Sequence, residues 1–274
     1  MQIGSGTVAV ITGGASGIGR SCATEFARRG ADVVIGDIHE ERMAETIGEL
    51  RGLGVRADAV RCDVTSDADV QHLREAAISA MGHVDLLMNN AGVALLGPPE
   101  RVSMEDWHWI MEINLFGLIR GAQAFVPYFQ ERGSGYVINT ASVAGLYAYS
   151  WDSIPYITSK FGAYGFTEGL HVYLKPQGIG VSVLCPGLVN SNFGESARFS
   201  GLQNPAGWVH LPEDMRSIDA SEVGPIVADA VAQDRFLIFT HPEDESRHVK
   251  RRGDIESALA SQVATGPMPP GLLA

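Results

Sequence analysis

Tyr156 and Lys160, four residues apart, are the pair in this sequence best suited to moving a proton. On a helix that spacing puts both side chains on one face, one turn apart. A free phenol has a pKa of about 10 and is a poor acid/base near neutrality. A lysine charge held beside it favours the phenolate and is expected to bring the pKa towards the working range. Taken alone, the pair also fits a core tyrosine beside a solvated lysine. Ser142 follows the apolar run Tyr136-Val137-Ile138-Asn139, which reads as a strand. That places its hydroxyl at a strand's carboxyl end, the edge where open α/β sheets bind ligands.

A second group of residues suits a phosphate. The run Thr12-Gly13-Gly14-Ala15-Ser16-Gly17-Ile18-Gly19 directly follows Val8-Ala9-Val10-Ile11 and opens a helical segment. Glycine permits the sharp turn and lets the backbone approach a pyrophosphate, while the helix N-terminus offers N–H groups and a positive dipole end. The spacing differs from G-x-G-x-x-G, and no Lys-Ser or Lys-Thr follows, so it is not a P-loop. Asp37 lies 18 residues past Gly19, at the end of the next strand-like run. An acidic residue there is expected to accept hydrogen bonds from the adenosine ribose hydroxyls and to repel a 2′-phosphate, which favours NAD over NADP. Arg20 and His39 are nearby cations that soften this preference.

These residues need a scaffold, and the hydrophobic pattern supplies one. Short apolar runs at 8–11, 32–35, 55–61, 84–88, 136–139, 179–184 and 236–239 alternate with helical patterns at 17–29, 40–53, 67–81, 103–132 and 155–175. Nearly continuous apolar strands alternating with helices predict an α/β fold: a doubly wound, parallel, seven-stranded sheet with helices on both faces. Ser103 with Asp106 three residues on marks the start of the fourth helix. No linker or repeat divides residues 1–274, so one dinucleotide-binding and catalytic domain is expected. The stretch at about 190–219 breaks the alternation with glycines, prolines and aromatics, and is expected to form a substrate loop or lid.

Bulk properties exclude several classes. The 274 residues carry 20 basic and 32 acidic side chains, a net charge of −12, which disfavours nucleic acid. The basic cluster Lys250-Arg251-Arg252 reads as a solvated helix face. Three widely spaced cysteines, Cys22, Cys62 and Cys185, argue for a reducing compartment rather than a disulfide framework, and no cluster suggests a metal. With no basic leader and no apolar stretch of membrane length, the expected location is the cytoplasm.

Five separated motifs, in order, resemble the short-chain dehydrogenase/reductase family: Thr12-Gly13-x-x-x-Gly17-x-Gly19, Asp63-Val64, Asn89-Asn90-Ala91-Gly92, Ser142 with Tyr156-x-x-x-Lys160, and Pro186-Gly187. The likeness runs from about residue 5 to about 245. It implies a Rossmann fold, an NAD cofactor, and hydride transfer between the nicotinamide and a carbonyl carbon. Tyr156 would be the acid/base, and Ser142 would hold the substrate oxygen. Lys160 would also hydrogen-bond the nicotinamide ribose, and Asn114 would bind a water that relays protons from the lysine. Ser16, Ile18 and the loop glycines would cradle the cofactor. Asp63, Val64, Asn90, Ala91 and Gly92 would serve its adenosine half, and Pro186, Gly187 and Val189 its nicotinamide. Ser191 stands where the family often has threonine. One departure is that Ser142 and Tyr156 are 14 apart where many relatives have 13, which alters the loop 146–151. The resemblance also implies a homo-oligomer, dimer or tetramer, built on the helices near 103–132 and 155–175.

Three loops supply candidate pocket residues: Leu95 and Leu96; Leu146, Tyr147, Tyr149 and Trp151; Phe193, Phe199 and Trp208. This apolar, aromatic set points to a bulky hydrophobic or aromatic secondary alcohol or its ketone. The ending Phe239-Thr240-His241-Pro242-Glu243 resembles relatives acting on aromatic alcohols. A steroid alcohol and, with less polar anchoring than it needs, a polyol are alternatives within the class. A non-catalytic NAD-binding regulator is the alternative outside it, and it would be expected to lack one of Ser142, Tyr156 and Lys160.

Overall fold

The structure, a computed structural model, describes residues 1–201 and 216–265. Trp208 and the tail beyond 265 lie outside the described residues. The elements run β1 (Val8–Thr12), α1 (Gly17–Arg28), β2 (Asp32–Asp37), α2 (Glu40–Gly52), β3 (Ala57–Arg61), α3 (Asp67–Met81) and β4 (Leu86–Asn89). Then come β5 (Leu95–Leu96), α4 (Met104–Met111), a π-helical turn (Glu112–Phe116), α5 (Gly117–Arg132), β6 (Gly135–Thr140) and α6 (Ile154–Leu174). They are followed by β7 (Ile179–Cys185), β8 (Leu188–Asn190), β9 (Arg198–Phe199), β10 (Ser217–Asp219), α7 (Val223–Ala232), β11 (Leu237–Phe239), α8 (Pro242–Gly253) and α9 (Ile255–Thr265).

Seven strands form one sheet in the order β11-β7-β6-β4-β1-β2-β3, every pairing parallel. This is the doubly wound Rossmann arrangement that the alternation predicts. Each of the five residues of β1 is buried, as a strand covered on both faces requires. One core packs α1, α2 and α7 on the first face through Phe26, Ile47, Leu50 and Val227. A second packs α3 and α5 on the other through Leu73, Phe125 and Phe129. Helix α1 shows how sequence ends an element. Cys22, Ala23, Phe26 and Ala27 form its buried stripe, and Gly30 at φ +94° closes it. Gly30 N–H donates to Ala27 O and Ala31 N–H to Phe26 O, the paired bonds of a Schellman stop.

The sheet order reverses between β1 and β4. The loops leaving those two strands therefore diverge to opposite faces, opening a crevice at their carboxyl ends.

One helix differs from its sequence pattern. Residues 103–132 read as continuous, but α4 and α5 are separated by the π turn, where Gly117 N–H reaches back five residues to Glu112 O. Such turns cluster at functional sites, and this one holds Asn114 fully buried. Ser103 does cap α4, its Oγ accepting from Asp106 N–H at 3.1 Å. The Asp106 carboxylate does not complete the box; it accepts from the Ser103 hydroxyl instead and pairs with Arg198. Of the irregular stretch at 190–219, the described part is pinned at two places. Strand β9 pairs with β5, and β10 with β8. Arg198 also stacks on Trp109, its guanidinium 3.8 Å from the ring centroid.

Candidate active site

A cleft of about 800 Å³ lies along the carboxyl edge of the sheet, at the reversal point. Each loop leaving β1, β2, β3, β4, β6 and β7 contributes to its wall. That is the consequence of a parallel sheet: every carboxyl end meets the same edge.

At one end stand Gly13, Ser16, Gly17 and Ile18. Ser16 precedes α1 without a side-chain capping bond, and no acidic residue occupies the first turn. The first-turn N–H groups and the dipole therefore face the cleft without an internal counterpart. Gly17 has φ +49°, and a Cβ there would lie 3.2 Å from Ser191 Cβ. Gly19 is set back behind the wall: a Cβ would overlap Gly13 O and lie 2.6 Å from Asn90 Nδ2. Its work is to let the loop close on itself.

Asp37 lies at the same end, and its carboxylate accepts three backbone N–H groups: Ala15 at 3.1 Å, Ile38 at 2.8 Å and His39 at 3.1 Å. These bonds fix it against the glycine loop and leave it about one acceptor site. Arg20 is diverted away from the wall, its Nε donating to Glu49 at 3.2 Å. His39 stays on the wall beside Arg42, a residue outside every motif named above, which pairs with Glu195 at 2.6 Å. Asp63 and Val64 form the next part of the wall, with Asp63 Oδ1 taken by Thr65. Asn90 ties loops together, donating to Thr12 O at 3.2 Å and accepting from the Thr140 hydroxyl at 3.2 Å.

The other end holds Ser142, Tyr156 and Lys160. Helix α6 carries the last two on one face, and β6 delivers Ser142 two residues past its end. Lys160 Nζ donates to Thr140 O at 3.1 Å and lies 5.7 Å from the Tyr156 ring centroid. Burial lowers the lysine to about 8. Burial also raises the Tyr156 phenol, to about 12, against the lowering effect of a hydrogen bond with Ser142. The downward shift expected from the spacing is thus not what this site produces: desolvation outweighs the serine hydrogen bond, and the phenol is protonated at neutral pH. Phe193 meets the Tyr156 ring edge-on at 5.8 Å.

Asn114 sits behind this wall rather than on it. Its Nδ2 donates to Val93 O at 2.9 Å and Ser159 Oγ at 3.0 Å, and its Oδ1 accepts from Val93 N–H at 2.8 Å. Both amide hydrogens are committed, leaving Oδ1 one acceptor site. A Cβ on Gly92 would lie 3.3 Å from Asn114 Oδ1 and 3.4 Å from Lys160 Nζ, so both atoms face one small gap.

The sequence profile of the short chain dehydrogenase family matches residues 7–199, well over half of the chain. The chain belongs to that family. It is 37% identical over 196 residues to 3beta-hydroxysteroid dehydrogenase 2 of Eggerthella lenta, covering 71% of this chain and 75% of that one. It is 34% identical over 244 residues to 1-deoxy-11-beta-hydroxypentalenate dehydrogenase of Streptomyces exfoliatus, covering 87% and 84%. A short chain dehydrogenase/reductase from Burkholderia phymatum, solved in complex with NAD, superposes with a TM-score of 0.82 at 32% identity, covering 100% of both chains. This short-chain dehydrogenase is therefore an oxidoreductase of the alcohol–carbonyl pair.

The residues present fit a dinucleotide. The close-packed loop glycines, the uncapped α1 N-terminus and an anchored carboxylate at the far wall form one continuous surface ending at Tyr156. Ala91, Gly92, Pro186, Gly187, Val189 and Ser191 all lie on it. The pocket candidates of this dehydrogenase divide. Leu96, Tyr149 and Phe193 are on the wall. Leu95, Leu146, Trp151 and Phe199 are not. Leu95 is sealed beneath the site with Val102 and Ile110, and Leu146 packs into the core around α6. Phe199 belongs to β9, paired with β5. Tyr147 turns away to Asp244. Val93, Ala94, Val143 and Ser153 line the wall instead. The first two continue the Asn90-Ala91-Gly92 motif, a position that could have suggested them.

Proposed function

We propose that this dehydrogenase is NAD-linked and interconverts a bulky, largely apolar secondary alcohol and its ketone. One observation carries the reading: a single cleft has the Asp37 carboxylate at one end and the Tyr156 hydroxyl, beside Ser142 and Lys160, at the other. A bound nicotinamide supplies the hydride acceptor or donor. The chain's own residues do the rest. Ser142 holds the substrate oxygen, and Tyr156 takes the hydroxyl proton in oxidation or returns it in reduction. Lys160, buried and near its own titration point, steadies the phenolate. The gap between Lys160 Nζ and Asn114 Oδ1 suits a water that carries the proton onward.

The wall near Tyr156 supports an apolar substrate, since Leu96, Val143, Tyr149 and Phe193 face it with Ser153 as a polar neighbour. The hydroxysteroid in one relative's name agrees with a bulky alcohol. The pinned segment around β9, joined to Asp106 and Trp109, supports a substrate-covering role for the irregular stretch. Residues 1–274 act as one catalytic unit in this reading. Exposed Met104, Phe116, Phe161, Val172 and Tyr173 on α4, the π turn and α6 support self-association through those helices; a monomeric mass in solution would overturn that part. Three free, buried cysteines fit the cytoplasm. No helix among the described residues is long and apolar enough to cross a membrane.

Cofactor choice is tested by titrating the protein with NADH and NADPH and following nicotinamide fluorescence. Asp37 would stand against a 2′-phosphate, and an uncompensated buried-charge contact costs on the order of 1–3 kcal/mol. NADH is therefore expected to bind at least about tenfold more tightly. Equal or reversed affinities would contradict the role given to Asp37 and point to His39 and Arg42 as the residues that decide.

A further inference from the structure

A buried ring of side chains from the last part of the chain closes on the catalytic serine. Within the peptide unit joining Pro186 and Gly187, the carbonyl of Pro186 accepts from Val143 N–H at 3.0 Å and from the Ser142 hydroxyl at 3.4 Å. The N–H of the same unit, on Gly187, donates to Thr240 Oγ1 at 3.0 Å. One peptide plane is thus held from both edges: by the serine loop on one side and by the end of β11 on the other.

The ring continues from Thr240. Its hydroxyl, which accepts from Gly187, also shares a hydrogen bond with His241 Nδ1, 2.8 Å away. His241 Nδ1 lies 4.0 Å from Asp244 Oδ2. Asp244 Oδ1 accepts from the Tyr147 hydroxyl at 2.6 Å and from Arg247 at 3.0 Å. Tyr147 lies five residues past Ser142, so the circuit returns to the loop where it began. Thr240, His241 and Asp244 are all buried, at 4%, 1% and 1% exposure. Gly187 is pressed against them, because a Cβ there would lie 2.6 Å from both Asp244 Oδ2 and His241 Nδ1.

We infer that Thr240 is a positioning residue for the nicotinamide half of the cofactor, acting through the Pro186–Gly187 peptide. This rests on the NAD-linked reading above. Hydride transfer needs the nicotinamide beside Tyr156 and Ser142, and the 186–187 segment is the part of the cleft wall bonded to Ser142. A peptide free to rotate would tilt both the wall and the serine hydroxyl. A peptide fixed at both edges presents them in one orientation before any ligand arrives, which lowers the cost of binding. The adenosine end, at Asp37 and the glycine loop, shares no side chain with this ring.

The test is calorimetric titration of the full chain with NADH and, separately, with ADP-ribose, which lacks the nicotinamide. Thr240→Val keeps the shape and removes the acceptor of Gly187 N–H. Its NADH affinity is expected to fall about tenfold, as loss of one buried hydrogen-bond partner predicts, with ADP-ribose affinity changed less than about twofold. Thr240→Ser, which keeps the hydroxyl, is expected to restore NADH affinity to within about threefold of the parent. A purely structural threonine would lower both affinities together, or lower only the melting temperature; either result overturns the inference. So does a Thr240→Ser protein as weak towards NADH as Thr240→Val. A parent protein that binds neither ligand would overturn the NAD-linked reading, and this inference with it.

Discussion

Replacing Tyr156 by phenylalanine is expected to lower kcat for alcohol oxidation by about 10³-fold or more while leaving NADH affinity within about threefold. The substitution removes one oxygen and keeps the ring. The edge-on contact with Phe193 and the fit of the ring against α6 survive, so the cleft keeps its shape. What disappears is the only phenol placed beside both Ser142 and Lys160 among the described residues. Folding is expected to change little, by about 1 kcal/mol, because one hydrogen bond is lost in a site that opens on the cleft. Steady-state kinetics alongside an NADH titration separates the two effects. Activity above about a tenth of the parent's would mean that another group moves the proton. Loss of NADH binding in step with activity would mean that the hydroxyl serves the cofactor rather than the chemistry.

Gly19→Ala is the second large expected effect, and it acts at the opposite end. A Cβ at position 19 would overlap Gly13 O and crowd Asn90 Nδ2 at 2.6 Å. Backbone cannot yield as a flexible side-chain tip can. The loop must open or α1 must shift, and either movement withdraws the helix N-terminus from the phosphates. NADH affinity is expected to fall by about two orders of magnitude or more. Gly48→Ala is the control. It also lies inside a helix, but a Cβ there meets nothing within 4 Å. That change is expected to leave binding intact and to stabilise the fold by about 0.5–1 kcal/mol. Circular dichroism on both proteins shows whether Gly19→Ala has spared the fold. Unchanged NADH affinity in a folded Gly19→Ala protein would contradict the close packing of the loop.

These two positions were legible in the sequence for a shared reason. A glycine run after a buried strand, and a tyrosine and lysine one helical turn apart, are local patterns whose chemistry depends little on distant packing. The sheet was legible on the same ground, since short, β-branched, fully apolar runs such as Val8-Ala9-Val10-Ile11, alternating with helical patterns, suit strands covered on both faces. What local pattern does not encode is direction. Leu95 and Leu96 are neighbours of one type, yet Leu96 faces the cleft and Leu95 the core beneath it. Position in the loop after Ser142 alone points Leu146, Tyr147 and Trp151 to the pocket, yet none of the three lines it. Direction in that loop is set by distant partners: Tyr147 reaches Asp244, 97 residues away.

The π turn was invisible for a different reason. Glu112-Ile113-Asn114-Leu115-Phe116 has ordinary helical composition. The hint was Asn114 itself, a mediocre helix former in an apolar setting. Its surroundings are tertiary: both hydrogens of its amide are taken by Val93 O and Ser159 Oγ, partners that the local pattern does not reveal. The tuning of Tyr156 also depends on more than the spacing of the pair. Proximity of a lysine predicts a lowered pKa, but burial of both groups is a property of the assembled site, and it wins.

The protonated phenol sets the sign of the pH dependence. Tyr156, raised to about 12, holds its proton at neutral pH and is ready to donate it to a ketone oxygen. Alcohol oxidation needs the phenolate, whose population grows as pH rises, so oxidation is expected to accelerate with pH and ketone reduction to slow. The most direct measurement is therefore the near-ultraviolet absorbance of reduced nicotinamide as the protein meets a panel of secondary alcohols with NAD, at neutral and alkaline pH. The panel spans aromatic, steroidal, aliphatic and polyol members. The account predicts NADH formation with bulky apolar members, several-fold faster at the higher pH. Turnover only of polyols, a rate that falls as pH rises, or no NADH from any alcohol would contradict it.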